Sequence, residues 1–218
     1  LSFSKEMQVA VLSEPQAETQ LGELLLSSGR LGEAEPRLAK AVEKDSNCSQ
    51  CQVMLGALRF RQYKFDQAKT HLSKVLVIDP QNYLAHQFYG ALLHEEGRYK
   101  EAIQSYEQTL RINPNLEQPY FDLSLAYLGN GQNGEADSAF ERFMKLKNSE
   151  PLYYRLHGYG LLRMGLGKRA AEDSLTHLKM VGWQDTGAPY SALAAYFGYR
   201  KDKMATEADK VLNEMADK

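Results

Sequence analysis

The sequence predicts an all-α fold, a solenoid of about six stacked helix pairs, and three observations carry that expectation. Small residues recur at Gly22, Gly56, Gly90, Ser124 and Gly158, and alanines at Ala34, Ala68, Ala102, Ala136 and Ala170, both ladders at an interval of 34. A fixed period of that size belongs to architectures that stack one supersecondary unit on the next. Within the intervals, glycine turns (Ser28-Gly29-Arg30, Glu96-Gly97-Arg98 and Asn130-Gly131-Gln132) separate two stretches of helical periodicity. Glycine ends a helix because it enters the left-handed region without strain. Between intervals stand Asp79-Pro80 and Asn113-Pro114, where proline blocks a further turn of helix. Asp45-Ser46 and Lys147-Asn148 take the same place without proline.

Taken in order, residues 1–14 set Phe3, Met7, Ala10 and Val11 on one helical face and predict a packing helix. Pro15 suits the first turn of the next helix, where its missing N–H is not needed. Five units follow, at 15–48, 49–82, 83–116, 117–150 and 151–184. In each, antiparallel helices can touch only where one side chain is small; Leu38, Leu72, Tyr106 and Phe140 fill the space beside the small residues. The best-formed unit is 83–116, with one helix ending at Gly97 and the other running from about Tyr99 to Ile112.

The pattern loosens toward the C-terminus. Unit 151–184 has Ser174 where a large residue is expected and His177 where a small one is. Its exit, Val181 to Pro189, is longer than the earlier turns. Residues 185–218 then supply helices at Tyr190–Tyr199 and Thr206–Met215; Ala208 lies 38 residues after Ala170, a slip of four, and Tyr196 takes the place of a small residue. This reads as a degenerate sixth unit that caps the stack, since terminal repeats need a polar outer face. Glu207, Asp209, Lys210, Glu214, Asp217 and Lys218 suit that role.

Composition excludes several classes. The 218 residues carry 26 Lys plus Arg against 28 Asp plus Glu, a net charge of −2. That balance leaves no electrostatic footprint for nucleic acid. No apolar run approaches a membrane span. The two cysteines provide no disulfide framework. The chain starts at Leu1, which reads as an excised or processed piece, so the sequence leaves open a cytoplasmic or a periplasmic home.

Tyr89-Gly90, Gly97 to Ile103, Tyr106 and Ile112 to Asn115 form the pattern in which the chain resembles the tetratricopeptide-repeat (TPR) family. The resemblance covers most of the chain and implies a right-handed α-α superhelix. It further implies a concave groove lined by the second, fifth, ninth and twelfth positions of each first helix. Those positions hold Gln16, Thr19, Glu23 and Leu26; Gln50, Val53, Ala57 and Phe60; Leu84, Gln87, Ala91 and His94; Gln118, Phe121, Leu125 and Leu128; Leu152, Arg155, Tyr159 and Leu162; and Tyr190, Leu193, Phe197 and Arg200. The expected peptide-binding groove is Val53, Ala57, Phe60, Gln87, Ala91, His94, Phe121, Leu125, Leu128, Arg155, Tyr159 and Leu162. It changes from polar to aromatic and aliphatic along the chain and suits an apolar peptide or helix, anchored on Phe60, Phe121, Leu125, Tyr159 and Leu162. The carboxylate clamp of chaperone-binding members is not matched: its positions hold Thr19, Glu23, Met54, Leu84 and Phe88, which do not offer charge-assisted hydrogen bonds to a carboxylate.

The remaining motifs carry little chemistry. Cys48-Ser-Gln-Cys51 sits near a helix N-terminus, a place that lowers a thiol pKa. It lacks the βαβ context of thioredoxin-like proteins and the following His of haem attachment, and two ligands do not make a zinc site. The reading is free thiols or a passive disulfide. Asp185-Thr-Gly-Ala occurs once, between helices, whereas aspartic-protease chemistry needs two aspartates sharing a proton. Trp183 reads as a plug over the joint between the last two units. The five histidines show no H-E-x-x-H spacing, and Gly158-Tyr-Gly160 meets Arg163 where a phosphate loop needs glycine. The expected function is therefore a protein–protein interaction scaffold without catalysis, cofactor or metal, whose partner is a protein or peptide, with a second copy of the chain as one option. Two narrower readings stand beside it: a regulatory or substrate-recruiting arm of a longer enzyme, and a bacterial envelope assembly factor similar to pilotin-type TPR lipoproteins.

Overall fold

The structure, a computed structural model, describes residues 13–147 and 150–217. The helix expected over Phe3, Met7, Ala10 and Val11 lies outside the described residues, as do Asn148 and Lys218. The described residues form twelve helices and no strand. They are α1 Glu14–Ser27, α2 Leu31–Lys44, α3 Ser49–Arg61, α4 Phe65–Ile78, α5 Tyr83–Glu95, α6 Tyr99–Ile112, α7 Gln118–Gly129, α8 Asn133–Leu146, α9 Pro151–Arg163, α10 Gly167–Val181, α11 Ala188–Lys201 and α12 Ala205–Ala216. Two compact units divide the chain, residues 1–92 and 93–218.

In the first unit the helix pairs close on glycine. A Cβ on Gly22 would lie 2.5 Å from Leu38 Cδ2, and one on Gly56 would lie 2.9 Å from Leu72 Cγ. The large partner fills what the small residue vacates, which brings the two backbones together. Residues 51–58 of α3 are all buried, so the middle of this helix shows no polar face to solvent, and Gln50 and Arg61 are exposed at its two ends. Leu25, Leu38, Val53, Leu58, Leu72 and Leu92 belong to the core around it. Helix α1 ends as the glycine turn requires: Gly29 adopts φ 74°, and Gly29 and Arg30 donate their N–H groups to the carbonyls of Leu26 and Leu25. After α3 the same left-handed position is held by Tyr63, at φ 59°.

In the second unit an aromatic cluster fills the space between α7, α8 and α9. Phe121, Phe140 and Phe143 pack there with ring centroids 5.1–6.3 Å apart, and His157 stacks on Phe140 at 3.8 Å. The His157 Nδ1 lies 2.6 Å from Asp173 Oδ2, which fixes the buried ring from α10. Between α10 and α11 the backbones approach closely: a Cβ on Gly198 would lie 2.4 Å from the Gly167 carbonyl oxygen. Asp202, just past α11, accepts the Lys168 N–H at 2.6 Å and so caps α10 from outside it. Trp183 packs with Leu178, Ala188 and Ala192 at the α10–α11 joint. The Asp185 carboxylate accepts the Gly187 N–H at 2.7 Å, a local turn bond that accounts for this Asp-Thr-Gly string.

Candidate interaction surface

The geometry of the second unit sets two helices side by side. His157 faces Asp173 while Leu166 N–H bonds Leu161 O, so α10 runs back along α9. His177 faces Ser191 and Lys168 faces Asp202, so α11 runs back along α10. Helices α9 and α11 are therefore parallel. Their inward faces are occupied by His157, Gly158 and Leu161 on α9 and by Ser191, Ala192, Ala195 and Gly198 on α11.

What remains outside is apolar. Helix α9 exposes Leu152, Leu156 and Tyr159 at 41%, 40% and 37%; steps of four and three keep them on one stripe. Helix α11 exposes Tyr190, Leu193 and Phe197 at 61%, 38% and 54%. The Tyr159 and Tyr190 phenols, one on each stripe, are near enough to act on each other electrostatically. Burial pushes the Tyr159 phenol up, the Arg155 charge pulls it down, and the neighbouring Tyr190 raises it again. Arg163 closes the α9 stripe, exposed and 3.4 Å from Glu95, and Arg200 and Lys201 close that of α11. Six large apolar side chains thus end in a basic border. Isolated exposed apolar residues need no account, but a grouped set marks an interaction surface.

Of the twelve expected groove residues, only Tyr159 is in the exposed class. Val53 and Ala57 are 0% and 1% exposed, inside the core of the first unit. Phe60 is half-buried against Phe65 and Phe88, with ring centroids 5.6 and 6.4 Å away; Gln87 and Ala91 are half-buried on α5. His94 is buried and edge-on to Tyr99 at 5.3 Å. Phe121 belongs to the aromatic cluster. Leu125 rests on α9 at Gly160, where a Cβ would lie 2.6 Å from its Cδ2. Leu128 is buried and Leu162 packs beside it. Arg155 is half-buried, its guanidinium lying against Gly187. In α9 the exposed stripe runs through the second, sixth, ninth and thirteenth positions, because neighbouring elements cover the fifth and twelfth.

Sequence reasoning passed over Leu156 and Arg163 for that reason, and over Asp122 entirely. Asp122 is half-buried on α7; burial pushes its carboxyl up to about 6, against the pull of the Gln118 amide 2.9 Å away. Cys48 and Cys51 are joined in a disulfide at the start of α3. Among the described residues, no grouping of three or more His, Cys, Asp or Glu could hold a metal ion, and no helix is long and apolar enough to cross a membrane.

Comparison with known proteins agrees with this architecture. The family model described as TPR repeat matches residues 90–131, and that described as tetratricopeptide repeat matches 117–150. The chain is 29% identical over 94 residues to the Hsp70-Hsp90 organizing protein of Triticum aestivum, covering 43% of this chain and 16% of that protein. It is 26% identical over 137 residues to the type IV pilus assembly protein PilF of Pseudomonas aeruginosa, covering 62% of this chain and 54% of PilF. The chain thus spans about a sixth of the first relative's length and about half of the second's. The crystal structure of PilW, described as a type IV pilus biogenesis factor, superimposes with a TM-score of 0.75 at 14% identity, over 94% of this chain and 93% of that one. Repeat period, helix pairing and family matches together place this chain in the tetratricopeptide-repeat family.

Proposed function

We propose that this interaction scaffold holds an apolar, amphipathic helix of a partner protein along α9 and α11, with the partner's acidic end toward Arg163, Arg200 and Lys201. The observation that carries this reading is the pair of exposed stripes, Leu152, Leu156 and Tyr159 beside Tyr190, Leu193 and Phe197. A helix laid between two parallel helices buries anchors at its i, i+3, i+4 and i+7 positions, and the basic border selects the charge of its end. The similarity to PilF favours a narrower role, in which the chain keeps an apolar component of an envelope structure in hand during assembly. A carboxylate-clamp role is not supported: Thr19 and Met54 are buried at 3% and 4% exposure.

Photo-crosslinking groups placed at Tyr159 and Phe197 test the reading. The expected product is a crosslink from both positions to one apolar helical segment of a single partner, lost in the Leu156→Ser/Leu193→Ser variant while helicity is unchanged. Truncating one anchor is expected to weaken binding by about 1–3 kcal/mol. Crosslinks only between copies of this chain, or none, would overturn it.

A further inference from the structure

The mechanism of partner capture makes no use of the Cys48–Cys51 disulfide, yet its surroundings are those of a bond that can be opened. We propose that it is a redox-active site, attacked at Cys48 by a small peptide-like thiol bound in the cavity beside it. Three observations in the first unit support this, and none depends on α9 or α11.

The two sulfurs are unequal. Cys48 is half-buried and stands at the N-cap of α3, where its sulfur accepts the Cys51 N–H at 3.2 Å. Cys51 is fully buried, one turn into the helix. An incoming thiolate can therefore reach only the Cys48 sulfur, and the choice of sulfur attacked governs exchange. When Cys48 is freed, the positive end of α3 stabilises its thiolate.

The buried sulfur has a proton donor in place. The Thr19 hydroxyl, on α1, lies 2.7 Å from the Pro15 carbonyl oxygen and 3.1 Å from Cys51 Sγ. In the disulfide state its single proton serves the carbonyl. As the S–S bond breaks and Cys51 takes up negative charge, the same proton can turn to the sulfur. A leaving thiolate so stabilised departs faster.

The third observation is the cavity, about 340 Å³, lined by Gln16, Thr19, Gln20, Glu23, Cys48 and Gln50. The amides of Gln16, Gln20 and Gln50 and the Thr19 hydroxyl can pair with the peptide bonds of a small thiol, and the Glu23 carboxylate lies beside them to receive its ammonium end. A thiolate RS⁻ attacks Cys48 Sγ, forming R–S–S–Cys48 and releasing Cys51 as thiolate. A second thiol attacks the R sulfur of that mixed disulfide, giving RSSR and Cys48 thiolate. Two protons complete the dithiol; two thiols are oxidised and one disulfide is reduced.

Glutathione serves as the probe. The folded chain is equilibrated in mixtures of reduced glutathione and glutathione disulfide, alkylated without denaturant and weighed by mass spectrometry, with circular dichroism recorded throughout. The expected result is full interconversion of disulfide and dithiol with helicity unchanged. Cys51→Ser should carry one glutathione, on Cys48, and Cys48→Ser none. Thr19→Val should slow reduction about tenfold, the loss expected for one hydrogen bond to a charged sulfur. A disulfide that opens only when helicity is lost, or glutathione added equally to either cysteine, would overturn the proposal. The wild-type titration decides it even where a variant fails to fold.

Discussion

Asp122 shows how one side chain's surroundings become a dependence of the whole fold on pH. Its folded carboxyl titrates near 6, raised by burial, whereas an unfolded aspartate titrates near about 3.9. Between those values the folded chain binds more protons than the unfolded one, so this group lowers stability as pH rises from about 4 to 6 and adds no further change above. Asp122→Asn removes the charge that burial disfavours. We expect the variant to be more stable by about 1–2 kcal/mol at pH 7.5, and that advantage to shrink by more than half at pH 4.5. Urea denaturation at both values measures it; an advantage independent of pH would show that the carboxyl titrates in its ordinary range. Nothing in the sequence marked Asp122, because its burial comes from elements packed around α7 rather than from its own neighbours in the chain. Tyr63 was hidden in a related way. Glycine announces a left-handed turn because only glycine enters it freely, and a tyrosine at φ 59° gives no such signal.

At the scale of the helix, the small-residue ladder was legible because it is a steric necessity. A Cβ at Gly22 or Gly56 would stand 2.5–2.9 Å from Leu38 or Leu72, so the leucine packed there would have to move to admit it. Gly56→Ala should therefore cost about 1–3 kcal/mol, the usual penalty of overpacking. Gly134, in the first turn of α8, has open space where a Cβ would stand, and Gly134→Ala should stabilise by about 0.5–1 kcal/mol through the unfolded chain. Thermal melts of the two variants should move in opposite directions; a shared direction would mean that helix propensity, not backbone approach, set these glycines. The groove was less legible for a reason at the same scale. A helical period tells which residues share a face but not which of two adjacent positions the next helix covers. In α9 that choice fell on Arg155 and Leu162 and left Leu156 and Arg163 outside. Helix α3 carries less signal still, since residues 51–58 are all buried, Val53 and Ala57 among them, and hydrophobic periodicity has no polar side to contrast with there.

For the whole chain, repeat architecture makes stability a sum of helix-pair terms and contacts between neighbours, so it need not be uniform along the stack. The two ends of that range can be named. Helix α3 has eight consecutive buried residues and lies in the core of the first unit. Helix α12 buries only Ala208 and Val211 and is the last helix of the second unit. Local opening free energies run from near zero at frayed ends to the global value in the core. Amide exchange should therefore be slowest in α3, at rates that follow complete unfolding, while α12 exchanges through a local opening that low urea barely changes. Exchange in α10 and α11 should lie between, because Gly167 and Gly198 lock their backbones and Asp202 caps α10 independently of α12. Protection of α12 equal to that of α10 would contradict this order and would mean that the second unit opens only as a whole. The order also bears on the proposed partner site. The α9–α11 stripes rest on the locked pair rather than on the fraying cap, so partner capture should survive urea concentrations at which α12 already exchanges.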